Sequence, residues 1–234
     1  MAKPFFILIP ALGCDERLYA SLMAAMADLV EPFVLVPDGD TLPRCVADVL
    51  EQAPQKFLIG GTSFGGHVAR EVALAAPDRV LGLMVIGAGA GAASNPAGGV
   101  KRSERLRGGD HQGLIRDMAE TITSPASPEG ATAKQTFIRM GLATNPETIA
   151  RHNDALTIRP DRWGDLEAIT CPSLLLWGKD DRYSPSLDGL RMSAAMPNAR
   201  FVELEDVGHL PTLEAPEETA DAVWHWLMDI LIRR

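Results

Sequence analysis

Cysteine is scarce in this chain: Cys14, Cys45 and Cys171 are the only three in 234 residues. They are odd in number and widely spaced, with no C-x-x-C pair and no metal-ligand cluster. Neither a disulfide framework nor a metal site is therefore expected, and no cofactor motif stands. Positive charge is also short. The formal net charge is −9, and no Lys/Arg cluster is dense enough to track a phosphate backbone, so nucleic acid is not an expected partner. No apolar run approaches the ~20 residues of a membrane span, so no membrane partner is expected. The N-terminus opens directly on strand-like residues, without a basic stretch leading into a longer apolar one. That predicts no signal peptide and a cytoplasmic location. Hydrophobic residues still make up 46% of the chain, which excludes disorder and suits one enzyme-sized core acting on a small molecule.

Gly61-Thr62-Ser63-Phe64-Gly65 is the most informative stretch. It reads G-x-S-x-G between the apolar run Phe57-Leu58-Ile59 and a helical run from Val68. A strand, a sharp turn and a helix are the context in which this motif exposes a nucleophilic serine. The turn strains the serine backbone and leaves no room for bulk at Gly61, Gly65 and Gly66. A serine hydroxyl needs a base. Of five histidines, His209 follows the strand-like run 200–204 and a glycine, at the kind of strand end where open α/β sheets bind ligands. His67 falls in the first turns of the helix after Ser63 and reads as a surface or packing residue. His111 and His152 lie in the polar middle, and His225 lies in the last helix. An orienting carboxylate is expected after the buried run Leu174-Leu175-Leu176-Trp177, where Asp180 and Asp181 are adjacent. The chain order serine, acid, histidine matches one known arrangement of such groups and not the chymotrypsin or subtilisin orders.

These residues resemble the α/β-hydrolase superfamily, most closely its small bacterial esterase, enol-lactone hydrolase and haloperoxidase-like branch. Trp177-Gly178-x-x-Asp181-x-x-Ser184-Pro185 is similar to the family's acid loop, and that alignment selects Asp181 over Asp180. Gly208-His209-x₄-Glu214-x-Pro216-Glu217 resembles its histidine loop. The stretch from Ile7 to Asp15 resembles its oxyanion loop, with Pro10-Ala11 in place of the usual His-Gly pair. The resemblance implies a Ser63–His209–Asp181 triad and an oxyanion hole made by the backbone N–H groups of Leu12 and Phe64. It implies hydrolysis of small carboxylic esters or lactones through an acyl-enzyme. A lyase, C–C hydrolase or haloperoxidase-like activity on the same triad remains open, as does a ligand receptor with little turnover.

The expected fold class is α/β, a mostly parallel doubly wound sheet of about six strands with a small helical cap. Short apolar runs predict strands near 5–9, 33–36, 57–60, 80–86, 173–177 and 200–204. The family's strand order, 2-1-3-4-5-6, puts the Ser63 turn at the point where the winding reverses. Helices are expected near 15–28, 43–52, 65–76, 186–196 and 216–232. The last carries an apolar stripe at Ala220, Val223, Leu227 and Leu231. The alternation stops for about ninety residues after the fourth strand, far above ordinary loop lengths. Residues 1–88 and 166–234 are therefore expected to form the core, and 89–165 an inserted cap with helices near 111–122, 130–141 and 146–157. Candidate pocket residues are Cys14, Leu114, Met118, Phe137 and Met140, with Ile122 and Leu156 beside them, while any single one of them reads more readily as packing. Arg107, Arg139 and Arg151 are weighed for a substrate carboxylate and read as solvated. The run Gly87-Ala88-Gly89-Ala90-Gly91-Ala92 formally matches a dinucleotide motif. No helix opens there and no acid follows at a second strand's end, so no nucleotide site is expected. Oligomeric state is not legible.

Overall fold

The computed structural model of the protein describes residues 3–232. Six strands form one sheet: β1 (Phe5–Ile9), β2 (Glu31–Val34), β3 (Phe57–Thr62), β4 (Val80–Ile86), β5 (Ser173–Gly178) and β6 (Ala199–Leu204). Their order is β2-β1-β3-β4-β5-β6, and every neighbouring pair is parallel. The central strands β3 and β5 are buried along their whole length. That explains their continuous apolar runs, since both faces of a parallel sheet are covered. The edge strand β6 alternates between exposed and half-buried positions instead.

Ten α-helices accompany the sheet among the described residues. They are α1 (Ala20–Met26), α2 (Leu42–Gln52), α3 (Phe64–Ala75), α4 (Pro96–Arg107), α5 (His111–Ala119), α6 (Gly130–Ala143), α7 (Pro146–Thr157), α8 (Ser186–Ala195), α9 (Pro211–Glu214) and α10 (Pro216–Ile232). The chain runs from β1 outward to β2, then returns past β1 to β3 and β4. Right-handed crossovers therefore put α1 on one face and α2 and α3 on the other. Accordingly α1 packs against α10, and α2 against α3.

Several elements differ from their expected bounds. The second strand begins at Glu31, because its pairing with β1 runs from Phe5–Glu31 to Leu8–Val34. The first expected helix is split. A 3-10 turn at Glu16–Tyr19, capped by the Asp15 side chain, precedes α1. In α10 the buried stripe is Thr219, Ala222, Val223, Trp226, Leu227 and Ile230, so Ala220 and Leu231 lie off its centre. Four helices, not three, lie between β4 and β5. The unexpected one, α4, opens with Pro96 in its first turn and the Asn95 side chain capping the Gly98 N–H. Its sequence is mostly polar, and its buried residues are Gly99, Ser103 and Leu106, which gives almost no apolar periodicity to read.

Two backbones meet under the serine turn. A Cβ on Gly65 would run into the carbonyl of Ile9 at the end of β1. Overpacking of this kind forces a backbone shift. Gly65→Ala is expected to lower the unfolding free energy by about 3 kcal/mol, read as a lower urea midpoint.

Candidate active site

Ser63 sits between β3 and α3 with φ 54° and ψ −113°. That is a left-handed region rarely entered by a residue with a side chain. The strain is held by its surroundings. The Ser63 N–H donates to the Ile86 carbonyl (2.8 Å), and α3 behind it is buried from Phe64 through Ala73. Tyr19 ties the two strand ends beneath the turn. Its hydroxyl donates to the Ile9 carbonyl (2.8 Å) and accepts from the Thr62 hydroxyl (2.8 Å). Burial pushes the Tyr19 phenol pKa well up, so it stays protonated. Beside Ser63, the backbone N–H groups of Leu12 and Phe64 donate to no acceptor among the described residues.

The acid loop leaves β5. Asp181 Oδ1 accepts from the N–H groups of Tyr183 (2.8 Å) and Ser184 (3.0 Å). This fixes the carboxylate and turns Oδ2 toward His209, whose Nδ1–H donates to it at 2.7 Å. The two side chains are 4% and 1% exposed for His209 and Asp181, so water does not compete for this bond. Asp180 points elsewhere, its Oδ2 accepting from the Ser124 hydroxyl (2.6 Å). Gly87, with φ +60°, packs against the pair, and a Cβ there would lie 3.1 Å from Asp181 Oδ2 and 3.2 Å from His209 Nδ1.

Glu214 clamps the histidine loop. One carboxylate oxygen accepts from the N–H groups of Ser124 (2.7 Å) and Gly208 (2.9 Å), and the other from Leu210 (3.0 Å). Both neighbours of His209 are thereby held, while the His209 N–H itself donates to the Ile122 carbonyl (2.9 Å). Burial holds the Glu214 carboxyl above its ordinary range despite these three donors.

Ser63 and His209 open on one cavity of about 140 Å³. Ala11, Leu12, His67, Gly87, Tyr183 and Ser184 line it from around the sheet, and residues between 93 and 159, in the segment joining β4 to β5, make up the rest of the wall. Of the candidate residues, Met118, Ile122 and Leu156 line it. Cys14, Leu114, Phe137 and Met140 do not; all four are buried in the hydrophobic core. Cys14 lies past the turn in which its N–H returns to the Ala11 carbonyl (2.9 Å), and burial pushes its thiol pKa well up. The other three belong to α5 and α6, which pack against each other, with α6 also against α9. That packing uses their apolar faces before the cavity is reached. Arg107 pairs with Glu147 and Asp154, Arg151 with Asp38, and Arg139 is exposed, so none lines the cavity.

The sequence reading missed the cavity's polar wall: Asn95, Arg102, Asn153, Thr157 and Arg159. It also misplaced His67, which is buried and lines the cavity. Arg70, wholly buried, donates from Nη2 to His67 Nδ1 (3.0 Å). An arginine only donates, so Nδ1 is the acceptor and the His67 proton resides on Nε2. Burial first, then the charges of Arg70 and Arg159, hold the His67 pKa well below its ordinary value. Both effects favour the neutral ring, with Nδ1 occupied by Arg70 and Nε2–H left as a donor. A hydroxyl, a carboxylate-backed imidazole and two spare N–H groups around one cavity are the parts that acyl transfer requires.

Residues 6–222 match the model of the alpha/beta hydrolase family. A 2-hydroxy-6-oxononadienedioate/2-hydroxy-6-oxononatrienedioate hydrolase of Paraburkholderia phymatum is 32% identical over 165 residues, covering 67% of this chain and 57% of that protein. The match thus spans under two thirds of that relative. A pimeloyl-[acyl-carrier protein] methyl ester esterase of Nitrosomonas europaea is 27% identical, covering 76% of this chain and 74% of the esterase. Among solved structures, a thermophilic esterase from Thermogutta terrifontis superposes with a TM-score of 0.89 at 24% identity, covering 98% of this chain and 91% of that one. An enol-lactonase from Burkholderia xenovorans gives 0.88 at 20% identity, covering 97% and 92%. At these identities the two structures speak for the fold.

Removing the Glu214 carboxylate strands three buried N–H donors. Glu214→Ala is expected to destabilise the protein by about 3 kcal/mol, the scale of orphaned buried donors, measured by urea denaturation. Glu214→Gln, which keeps one acceptor oxygen, should lose less.

Proposed function

The chain belongs to the alpha/beta hydrolase family, and from that premise we propose that it is a serine hydrolase of small carboxylic esters or lactones. The observation that carries this reading is the buried His209–Asp181 hydrogen bond of 2.7 Å, opening with the strained Ser63 onto one cavity. On this reading His209 Nε2 takes the Ser63 proton as Oγ attacks the carbonyl carbon. The Leu12 and Phe64 N–H groups bind the oxygen as it becomes anionic, which is where preorganised donors contribute most. Asp181 holds the imidazole tautomer and stabilises the imidazolium. The imidazolium returns its proton to the leaving alkoxide, and a water activated by His209 then hydrolyses the acyl-enzyme. Residues 1–88 and 166–234 form the catalytic core, and 89–165 act as the cap. A cavity of about 140 Å³ favours short acyl groups, because an engineered cavity of ~150 Å³ holds a ring the size of benzene.

A second reading is cleavage of a carbon–carbon bond beside a ketone. It is supported by the 32% identity to the 2-hydroxy-6-oxononadienedioate hydrolase. Comparing kcat/KM on short p-nitrophenyl esters with kcat/KM on a 2-hydroxy-6-oxo dienedioate separates the two. The ester reading expects the esters to be turned over repeatedly and the dienedioate to be the poorer substrate.

Ser63→Ala is expected to abolish ester turnover with an unchanged far-UV CD spectrum. Activity near wild type would remove the serine mechanism. Asp181→Asn should lose at least ~10²-fold in kcat/KM, below the ~10⁴ seen when a protease triad acid is replaced. Asp180→Asn should lose less than about tenfold, a scale of ~1.4 kcal/mol. A reversed ranking would assign the orienting role to Asp180.

A further inference from the structure

We propose that the wall formed by Arg102, Arg159 and His67 is a carboxylate-binding subsite, so that the preferred substrate carries an anionic group beside a short acyl chain. This rests on the hydrolase reading above and names its substrate class. The first observation is one of missing partners. Acids outnumber bases in the chain, 31 to 22, yet no Asp or Glu lines the cavity. Among the described residues neither Arg102 nor Arg159 has a carboxylate within 4.0 Å, whereas Arg105, Arg107 and Arg162 each pair with two. Two cations facing one cavity without a counter-charge repel each other, and an anion bound between them would relieve that repulsion.

The second observation concerns which donors are spent. Arg102 donates only from Nε, to Asn153 Oδ1 (3.0 Å). The four N–H groups on its terminal nitrogens remain, in the planar fork that matches a carboxylate. Each Arg159 guanidinium nitrogen donates once, to the carbonyls of Gly91 (3.1 Å), Leu156 (3.0 Å) and Ala92 (3.4 Å), which leaves one N–H on each terminal nitrogen. Those bonds position its guanidinium without neutralising it. Burial and the nearby Arg102 charge lower the Arg159 pKa. His67 adds a third donor, since Arg70 locks its proton on Nε2. Three donors of fixed direction and no acidic acceptor select an anion over a neutral group.

The test is equilibrium binding to S63A, which reads the subsite without turnover. Monomethyl glutarate, an anion, and dimethyl glutarate, its neutral counterpart, are titrated by calorimetry at constant ionic strength. The monoanion is expected to bind at least about tenfold more tightly, and added KCl to weaken it. R102M in the S63A background should remove the preference, and R102K should keep part of it while controlling for loss of packing. R159K should weaken the anion more than the diester. Equal binding of the two ligands, no binding of the monoanion at millimolar concentration, or a preference unchanged in R102M would each overturn the proposal. Turnover of neutral aryl esters by the wild type is measured separately. Anion-selective binding without turnover would overturn the hydrolase reading and leave the subsite standing. Turnover without anion preference would do the reverse.

Discussion

The close approach of Gly65 to the carbonyl of Ile9 is the constraint on which the site depends. It brings the start of α3 against the end of β1 where the sheet reverses its winding. Ser63 is pressed into its unfavourable backbone conformation there, and the Leu12 loop is left immediately alongside. Tyr19 secures the same junction from below by holding Ile9 and Thr62 together. A strained residue persists only where its surroundings over-determine it. Here they do so with a backbone contact, a buried phenol and a helix with no exposed face through its first ten residues.

Polar groups near the cavity are sorted by what they can give. The acceptors Asp181 and Glu214 are turned inward, each saturated by protein donors. The donors face the opening. This division follows from the cost of leaving a buried polar group unpaired. A carboxylate that has three N–H partners is satisfied in the interior, whereas the terminal N–H groups of Arg102 have no protein acceptor and face the cavity side of the wall. The same rule explains why Asp180 and Asp181, adjacent in sequence, face different partners. One anchors Ser124, between α5 and α6, and the other His209.

Local chemistry was legible in the sequence; shared surfaces were not. The six strands and the Ser63 turn could be read because each signal is contiguous: an apolar run, a glycine spacing, a strand–turn–helix context; the strand order came only with the family resemblance. Asp181 was separable from Asp180 only through the spacing of the acid loop it resembles; in the structure Asp181 bonds to His209 and Asp180 to Ser124. The polar cavity wall was opaque because it is assembled from a helix with scarcely any apolar periodicity (Arg102 on α4) and from the loop after α7 (Arg159). Phe137 and Met140 were named for the cavity because apolar residues in an insertion suit either a pocket or a packing face. Sequence cannot tell which face of α6 meets α5. His67 was read as a surface or packing residue because nothing in its neighbourhood reveals that Arg70 would be wholly buried and bonded to it.

The ring of Phe64 stacks on His152 of α7, with centroids 4.1 Å apart and planes at 14°. The Nε2–H of His152 in turn donates to the Pro37 carbonyl (2.7 Å) after β2. On the opposite side, Glu214 shares its carboxylate between Ser124 and the histidine loop. The segment between β4 and β5 is therefore riveted to the rest of the fold at two places, and each rivet passes through a residue adjoining the reactive groups. It is not a modular part. A chimera that exchanged residues 89–165 for a foreign segment would inherit a loosened serine turn and a loosened histidine loop unless positions 37, 64 and 208–214 were exchanged with it.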